Sequence, residues 1–182
     1  HGALDLPVLY VSHALDEVVR LADHVVLMEG GRAIANDALH NVQARLDLPL
    51  AHLDDAGMMV DAVVAAQDEA YRLTRLDFAG GELWVSRVER PLGSHVRARV
   101  LARDVSVATV APHGSSISNT LPASIEEIVV EGADRVSLRL RVGENTRLLA
   151  RITRRSCDQL QLVVGMAVLA QVKTVALQRS LY

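Results

Sequence analysis

The apolar positions at the start of the chain change from strand-like to helical spacing. Leu6 to Ser12 contains a short apolar run that predicts a buried strand. Ala14 to Ala22 has apolar residues on one helical face, and Ser12 is placed to cap that helix. The elements predicted next are a strand at 24–29, a Gly30-Gly31 turn, a return strand at 32–35 and a short helix at 37–46. This order is typical of a piece of an α/β fold.

The pattern changes between Asp47 and Met59. This stretch contains Pro49, two adjacent aspartates and Gly57, which favour a linker. From Val60 onward, short alternating runs are separated by turns, which indicates strands. The predicted strands are 73–78, 82–87, 96–101, 105–110, 123–130, 135–142, 148–153 and 166–177, with one helix at 154–162. The chain is therefore predicted to be mainly β, with a β-barrel of the oligonucleotide/oligosaccharide-binding (OB) type after a short α/β segment.

One spacing pattern occurs twice in the predicted β region. The sequence Gly-x-x-Val-x-Ala-x-Val spans Gly93 to Val100 and occurs again from Gly165 to Val172. Two interpretations stay open. Any β-turn followed by an alternating strand produces such a match, and two related halves of a β-barrel would produce it as well.

The composition excludes several classes of function. The 182 residues are 50% hydrophobic but only 3% aromatic, with a formal net charge of -3. Nucleic-acid binding on stacked aromatics is therefore not expected. Cys157 is the only cysteine, which excludes an intrachain disulfide and a multi-cysteine zinc site, and no other metal site is predicted. No apolar run reaches the ~18 residues of a membrane span, so direct membrane insertion is not expected.

The first candidate for chemistry follows the first predicted strand. Ser12 and His13 end that strand just before a helix, which would put the histidine at the carboxyl edge of a sheet, where α/β folds bind ligands. A loop histidine without a role is the alternative. Together with Asp16-Glu17 in the helix and the Gly-Arg hairpin, however, residues 6–40 resemble the end of an ABC transporter ATPase domain. The resemblance implies that His13 is the switch histidine, which senses the γ-phosphate of ATP.

Other parts of that ATPase machinery are missing from the sequence. There is no Gly-x-x-x-x-Gly-Lys-[Ser/Thr] loop, and no Asp-Glu pair ends a strand before His13. Phosphoryl transfer needs that lysine, a metal ligand and a positioned water. We therefore expect ATP and Mg²⁺ to bind only an intact ATPase, and this chain by itself to be inactive.

A polar run from Ser115 to Pro122 is the second candidate. Its hydroxyl and amide groups either bond their own backbone in a turn or converge as donors on an oxyanion. Lys173 is the only lysine in the chain, and a compact ammonium group suits a small tetrahedral dianion. A single solvated lysine on a strand is the alternative.

Residues 115–178 resemble the small molybdate-binding Mop domain, which belongs to the TOBE type. The segment from Ser116 to Asn119 corresponds to the Ser-x-Arg-Asn pattern of that domain, except that Ser118 replaces the arginine. The resemblance implies that Ser116, Ser118, Asn119 and Lys173 contact molybdate or tungstate. It also implies that Ala150 or Thr153 lends backbone donors, and the missing arginine implies weaker binding.

The order of the segments resembles one family, the ATP-binding subunits of molybdate ABC importers. The resemblance implies an ATPase remnant at 1–46, a linker at 47–59, the first half of a β-barrel regulatory domain at 60–113 and an oxyanion-binding domain at 114–182. It also implies a homodimer, a membrane permease as partner, and a place on the cytoplasmic face of the bacterial inner membrane. The alternatives are a purely structural dimerisation domain and a free-standing molybdate storage protein.

Overall fold

The chain divides into two compact units, His1–Val42 and Gln43–Tyr182. The computed structural model describes residues 7–111, 113–173 and 178–180. The segment 47–59, for which the sequence predicts a linker, lies inside the second unit. In the described part of the chain, no helix is both long and apolar enough to cross a membrane.

The described part of the first unit, from residue 7 onward, contains two helices and one hairpin. Its elements are α1 (Leu15–Leu21), β1 (His24–Glu29), β2 (Arg32–Ala38) and α2 (Leu39–Ala44), the last of which runs into the second unit. β1 and β2 pair antiparallel, as predicted. Gly30 and Gly31 form the turn with φ of +54° and +79°, values that glycine adopts without strain and that favour a tight hairpin.

The strand predicted at 6–12 is wrong for residues 7–12, which are described and form no strand. Leu9 and Val11 are 92% and 88% exposed there. A strand needs a neighbour to satisfy its backbone N–H and C=O groups, and no described segment pairs with this one. Ser12 is not the N-cap of α1, because Ala14 takes that position, but its hydroxyl accepts a hydrogen bond from the Ala14 backbone N–H at 3.0 Å.

The described residues of the second unit form two five-stranded sheets, which confirms the mainly β prediction. The first sheet contains β3 (Gly57–Asp68), β4 (Leu73–Phe78), β5 (Gly81–Ser86), β6 (His95–Leu101) and β12 (Gln178–Ser180). The second contains β7 (Val105–Ala108), β8 (Asn119–Glu131), β9 (Arg135–Val142), β10 (Thr146–Thr153) and β11 (Ala167–Val172). Helix α3 (Arg154–Gln159) and short 3-10 helices at Pro49–His52 and Ala102–Asp104 complete the unit.

The two sheets have the same internal order, so the unit contains a structural repeat. The order β5-β4-β3-β6 in one sheet corresponds to β10-β9-β8-β11 in the other. The fifth strands are exchanged, because β7 follows β6 in sequence but pairs with β11, whereas β12 follows β11 but pairs with β6. The repeated glycine-valine-alanine pattern lies on β6 and β11 and the turns before them, which occupy corresponding places in the two sheets, so the strand order favours its interpretation as two related halves.

Matching irregularities support the same repeat. The ladder register shifts between Val64 and Ala66 in β3, and between Ile125 and Glu127 in β8. Val64 and Ile125, which come just before the two shifts, each exchange a pair of backbone hydrogen bonds with the turn before β6 or β11. A bulge kept at the same place in both halves increases the strand twist that curls each sheet.

Alternating residues of both halves fill one hydrophobic core. Leu76 and Leu83 of the first half are 2% and 0% exposed, and Leu140 and Leu148 at the matching positions of the second half are both 0% exposed. Each such side chain contributes roughly 1.5–3 kcal/mol by leaving water. The core thus joins the two halves rather than dividing between them.

Residues 47–59 differ from the solvated linker that their composition favours. Leu48 and Ala51 are 4% and 2% exposed, residues 49–52 form a 3-10 helix, and β3 begins at Gly57. β3 was not predicted, because its apolar residues, interrupted only by Asp61 before Gln67, show no clear alternation with polar ones. The last predicted strand, 166–177, ends at Val172 in the structure, and 174–177 lie outside the described residues.

Replacing Gly57 with alanine is expected to destabilise the second unit by about 1–3 kcal/mol, the usual cost of overpacking. A Cβ at this position would lie 2.4 Å from the carbonyl oxygen of Val100 and 2.9 Å from the Cα of Leu101. Both are backbone atoms of β6, so β3 and β6 would have to separate. Urea denaturation measures the effect. Gly132→Ala is the comparison, because a Cβ there would meet no atom within 4 Å and only the φ of +68° would cause strain. Equal free energies of unfolding for Gly57→Ala and the parent chain would contradict the close approach.

Candidate functional site

The polar run before β8 forms an exposed segment at one end of the second sheet. Ser115, Ser116 and Ser118 are all exposed. The Ser115 hydroxyl accepts a hydrogen bond from the backbone N–H of Ile117 at 3.1 Å, so this serine forms a local turn. The hydroxyls of Ser116 and Ser118 make no hydrogen bond to any described residue, and they can donate to a ligand.

The strand register brings Ser118 and Lys173 together. Asn119, the first residue of β8, pairs with Val172, the last residue of β11. Ser118 and Lys173 are the next residues outward, just beyond the last pair of this antiparallel ladder, so both lie at the same end of the sheet. Lys173 is exposed and makes no ion pair with any described residue. One cation and several hydroxyls thus lie at one sheet end.

Asn119 has a different environment from the serines. It is 2% exposed, and both ends of its side-chain amide bond to the backbone of Trp84 in β5. Its Oδ1 accepts from the Trp84 N–H at 2.7 Å, and its Nδ2 donates to the Trp84 carbonyl at 2.9 Å. The side chain therefore links β8 to a strand of the other sheet, a contact that the sequence analysis did not foresee.

Ala150 and Thr153 are not brought to the sheet end that holds Lys173. Ala150 is fully buried in the middle of β10, opposite Leu138. Thr153 ends β10 and pairs with Arg135, which in turn pairs with Glu131 at the far end of β8 from Ser118. Within one chain, a donor from Thr153 therefore cannot join the donors of Ser118.

Thr153 instead caps the helix that follows it. Its Oγ1 accepts from the Ser156 N–H at 3.1 Å, which satisfies one of the free donors at the start of α3. An open groove of about 520 Å³ lies beside this cap. The residues that line it are Ala133, Asp134, Arg135, Thr153, Arg154, Arg155, Asp158 and Gln159.

His13 lies in the first unit, between the irregular segment and α1. It is exposed and makes no hydrogen bond or ion pair with a described residue. Nearby, Glu17 accepts hydrogen bonds from the Tyr10 hydroxyl at 2.7 Å and the Ser12 hydroxyl at 2.8 Å. These bonds lower the pKa of Glu17, with the bond from Tyr10 as the largest cause. Because residues 7–12 form no strand, His13 is not at the edge of a sheet here.

Arginine side chains hold the segment before β3, which the sequence analysis treated as a linker. Arg151 of β10 donates through Nη2 to the carbonyls of Ala51 at 2.8 Å and Leu53 at 3.0 Å. Its side chain is only 8% exposed. The sequence could not reveal these contacts, because they join residues about a hundred positions apart.

A buried carboxylate supports Arg151. Glu131 is 10% exposed in its side chain, and its Oε2 lies 3.8 Å from Arg151 Nε. Its other oxygen accepts from the Ser137 hydroxyl and lies 2.9 Å from His52 Nδ1. Burial by itself raises the pKa of Glu131, but the bonds to Ser137 and His52 and the charge of Arg151 outweigh burial and hold the pKa below the ordinary glutamate value.

Replacing Glu131 with glutamine is expected to lower stability in a pH-dependent way. A carboxylate whose folded-state pKa is lowered stabilises the fold above its unfolded pKa, near the ordinary value of 4.5, and this contribution fades as pH falls through the folded-state value. The difference from the parent chain should be about 1–3 kcal/mol at pH 7 and should shrink below pH 4.5. Thermal unfolding from pH 3 to 7 measures it, with Glu144→Gln on an exposed turn as the control. A constant difference at every pH would exclude the role of the charge.

Sequence comparisons assign the chain to a family. Residues 115–178 match the TOBE domain. The chain is 58% identical over 179 residues to the molybdenum import ATP-binding protein ModC of Aromatoleum aromaticum, covering 98% of this chain and 47% of that protein. It is 52% identical over 178 residues to the protein of the same name from Thiobacillus denitrificans, covering 97% of this chain and 49% of that protein. The chain thus spans about half the length of the curated relatives it matches.

A solved structure shows the same fold. It is a crystal form of the cytoplasmic molybdate-binding protein ModG with molybdate bound, and it superposes with a TM-score of 0.62 at 20% identity, covering 68% of this chain and 95% of that chain. The second unit is therefore an OB-like β domain that contains a TOBE domain. The chain belongs to the family of molybdenum import ATP-binding proteins.

Proposed function

We propose that this chain is the C-terminal regulatory and dimerisation region of the ATP-binding subunit of a molybdate importer, and that its second unit binds molybdate or tungstate. The observation that carries the proposal is the β8–β11 register, which ends at Asn119 and Val172 and so places the next residues, Ser118 and Lys173, at one exposed sheet end. Family membership supports the same function, and the ModG likeness supports the fold that it requires.

The proposed site fits a tetrahedral dianion by its donors. The hydroxyls of Ser116 and Ser118 can donate hydrogen bonds, and Lys173 supplies positive charge and three further donors. One lysine does not neutralise two negative charges, and Ser118 adds none where the Mop pattern has arginine. A site at a subunit boundary can gather a lysine from each copy, and we place the oxyanion there. Asn119 acts as a positioning residue, since its amide holds the start of β8 to β5.

The regulatory step follows from linkage. An oxyanion that binds more tightly in one arrangement of a dimer shifts the population toward that arrangement, by an amount set by the difference in affinity. The ATPase domain of the intact subunit would respond to this population shift. ATP and Mg²⁺ would bind in that domain, and His13 would sense the γ-phosphate. The intact subunit would then act on a membrane permease at the cytoplasmic face of the inner membrane.

Calorimetry tests the proposed binding. Titration of the chain with molybdate, and separately with tungstate, is expected to release or absorb heat with saturation, and the affinity should fall as salt rises because the charges are exposed. Sulfate, a tetrahedral dianion of smaller size, serves as the comparison. The absence of heat at millimolar molybdate and tungstate would favour the purely structural role.

Self-association is expected as part of this function. Homo-oligomers with two-fold symmetry bury the same surface of each copy. The edge strands of the sheets offer unpaired backbone groups to a second copy. Light scattering at tens of micromolar should give twice the mass of the chain. A monomer mass at that concentration would contradict the homodimer.

A further inference from the structure

The repeat supplies a first-half counterpart for every residue of the proposed site. Met58 pairs with Val100 at the end of β6, as Asn119 pairs with Val172 at the end of β11. Counting outward from these pairs, Gly57 corresponds to Ser118 and Leu101 corresponds to Lys173. Two residues before Gly57, Asp55 stands at the position of Ser116. The halves therefore share a backbone at this place but differ in chemistry.

The first-half counterpart has no charge that attracts an anion at the lysine position. Leu101 is an apolar side chain that is 3% exposed. Gly57 cannot be replaced by a side chain that donates, because a Cβ there would lie 2.4 Å from the Val100 carbonyl oxygen. The two positions that meet an oxyanion in the proposed site are thus closed in the first half.

The segment before β3 presents oxygen atoms instead of donors. Asp54 and Asp55 add two carboxylates where the second half has serines. The cations around them are engaged with the segment itself. Arg99 Nη2 donates to the Asp55 carbonyl at 2.6 Å and lies 3.3 Å from its carboxylate, and Arg103 Nη1 donates to the Asp54 carbonyl at 2.9 Å. With Arg151 on the carbonyls of Ala51 and Leu53, arginines hold four carbonyls of this segment.

We infer that the two halves have separate roles, so that only the second half takes an oxyanion and the first-half position excludes it. The inference rests on the proposed function and goes beyond it, because it limits the stoichiometry to at most one oxyanion per chain. A dianion at the first-half position would meet the carboxylates of Asp54 and Asp55, and like charges at close range disfavour binding. The oxyanion sites therefore number one per chain, or one per two chains where two copies share a site.

Equilibrium dialysis with molybdate, followed by elemental analysis of the bound molybdenum, tests the inference. The parent chain should bind no more than one molybdate per chain, and Lys173→Ala should weaken saturable binding about 10–150-fold, as expected for the loss of a hydrogen bond to a charged group. Lys173→Gln repeats that test with a side chain of similar length. Asp55→Ser should leave the stoichiometry unchanged, since Leu101 and Gly57 still supply neither charge nor donor.

Three outcomes would count against this assignment. Two molybdates per parent chain would overturn the inference and leave the proposed function intact. Saturable binding that keeps the parent affinity in both Lys173 variants but is lost in Arg103→Ala would place the site in the first half and overturn the inference as well. No binding to the parent chain would overturn both the proposed function and the inference. Circular dichroism of each variant checks that its substitution leaves the fold intact.

Discussion

Replacing Lys173 with alanine is expected to weaken molybdate binding about 10–150-fold, which corresponds to the ~1.5–3 kcal/mol of a hydrogen bond to a charged group. Lys173 is exposed and unpaired among the described residues, so its charge is available to a ligand. It is the only lysine in the chain, and it follows the last ladder residue of β11 at the sheet end where Ser118 precedes β8. Calorimetry with molybdate measures the change.

Two further variants sharpen this test. Arg135→Ala removes one exposed positive charge at the opposite end of the same sheet, and it should change the affinity less than about threefold, as expected for a screened distant charge. Ser118→Arg restores the arginine of the Mop pattern and should tighten binding. Equal losses for Lys173→Ala and Arg135→Ala would mean that only the overall charge matters, and no site would be placed at Lys173.

Replacing Arg151 with alanine is expected to lower the free energy of unfolding of the second unit by about 3 kcal/mol, because one buried charged group holds two backbone carbonyls and faces a carboxylate. Its contacts are the carbonyls of Ala51 and Leu53 and the carboxylate of Glu131. The variant leaves these acceptors without their shared donor. For a unit of this size the midpoint of thermal unfolding should fall by about 10 °C.

Arg141→Ala is the matched control for this variant. Arg141 also lies on the second sheet, but its side chain is 48% exposed and its Nε is 3.6 Å from Glu126. An exposed pair of this kind contributes about 0–1 kcal/mol. Arg151→Lys keeps the charge with a single donor group and should fall between the parent chain and Arg151→Ala. If Arg151→Ala unfolded at the same temperature as Arg141→Ala, the buried contacts would not stabilise the segment.

Much of the strand pattern followed from the sequence, for a local reason. β4 and β9 have the predicted bounds, because alternating apolar and polar residues between turns determine a half-buried strand from neighbouring positions alone. The β1–β2 hairpin followed from the Gly30-Gly31 turn in the same way. β3 was missed, since apolar residues that do not alternate regularly with polar ones leave the type of element undecided.

The candidate site was predicted in part for a related reason. The residue types of Ser116, Ser118 and Lys173 were visible in the sequence. Their common place at one sheet end depends on the β8–β11 register. The two bonds of Asn119 to Trp84 join positions 35 residues apart, and no local pattern indicates them. The placement of Thr153 at the opposite sheet end likewise depends on the order of the strands.

By itself, the sequence determined the mainly β character, the hairpins and the chemistry available at the polar run, because each depends on residues close together in the chain. Only the tertiary structure decided that β7 and β12 exchange sheets, that the segment before β3 is held by Arg151, and that the two halves are equivalent in backbone. The physical reason is that backbone pairing is largely independent of side-chain identity. Which distant strands pair is therefore determined by the side chains that each register buries. Residues 7–12, for which the sequence predicts a strand, show the converse. This β-prone run forms no strand, and no described segment pairs with it.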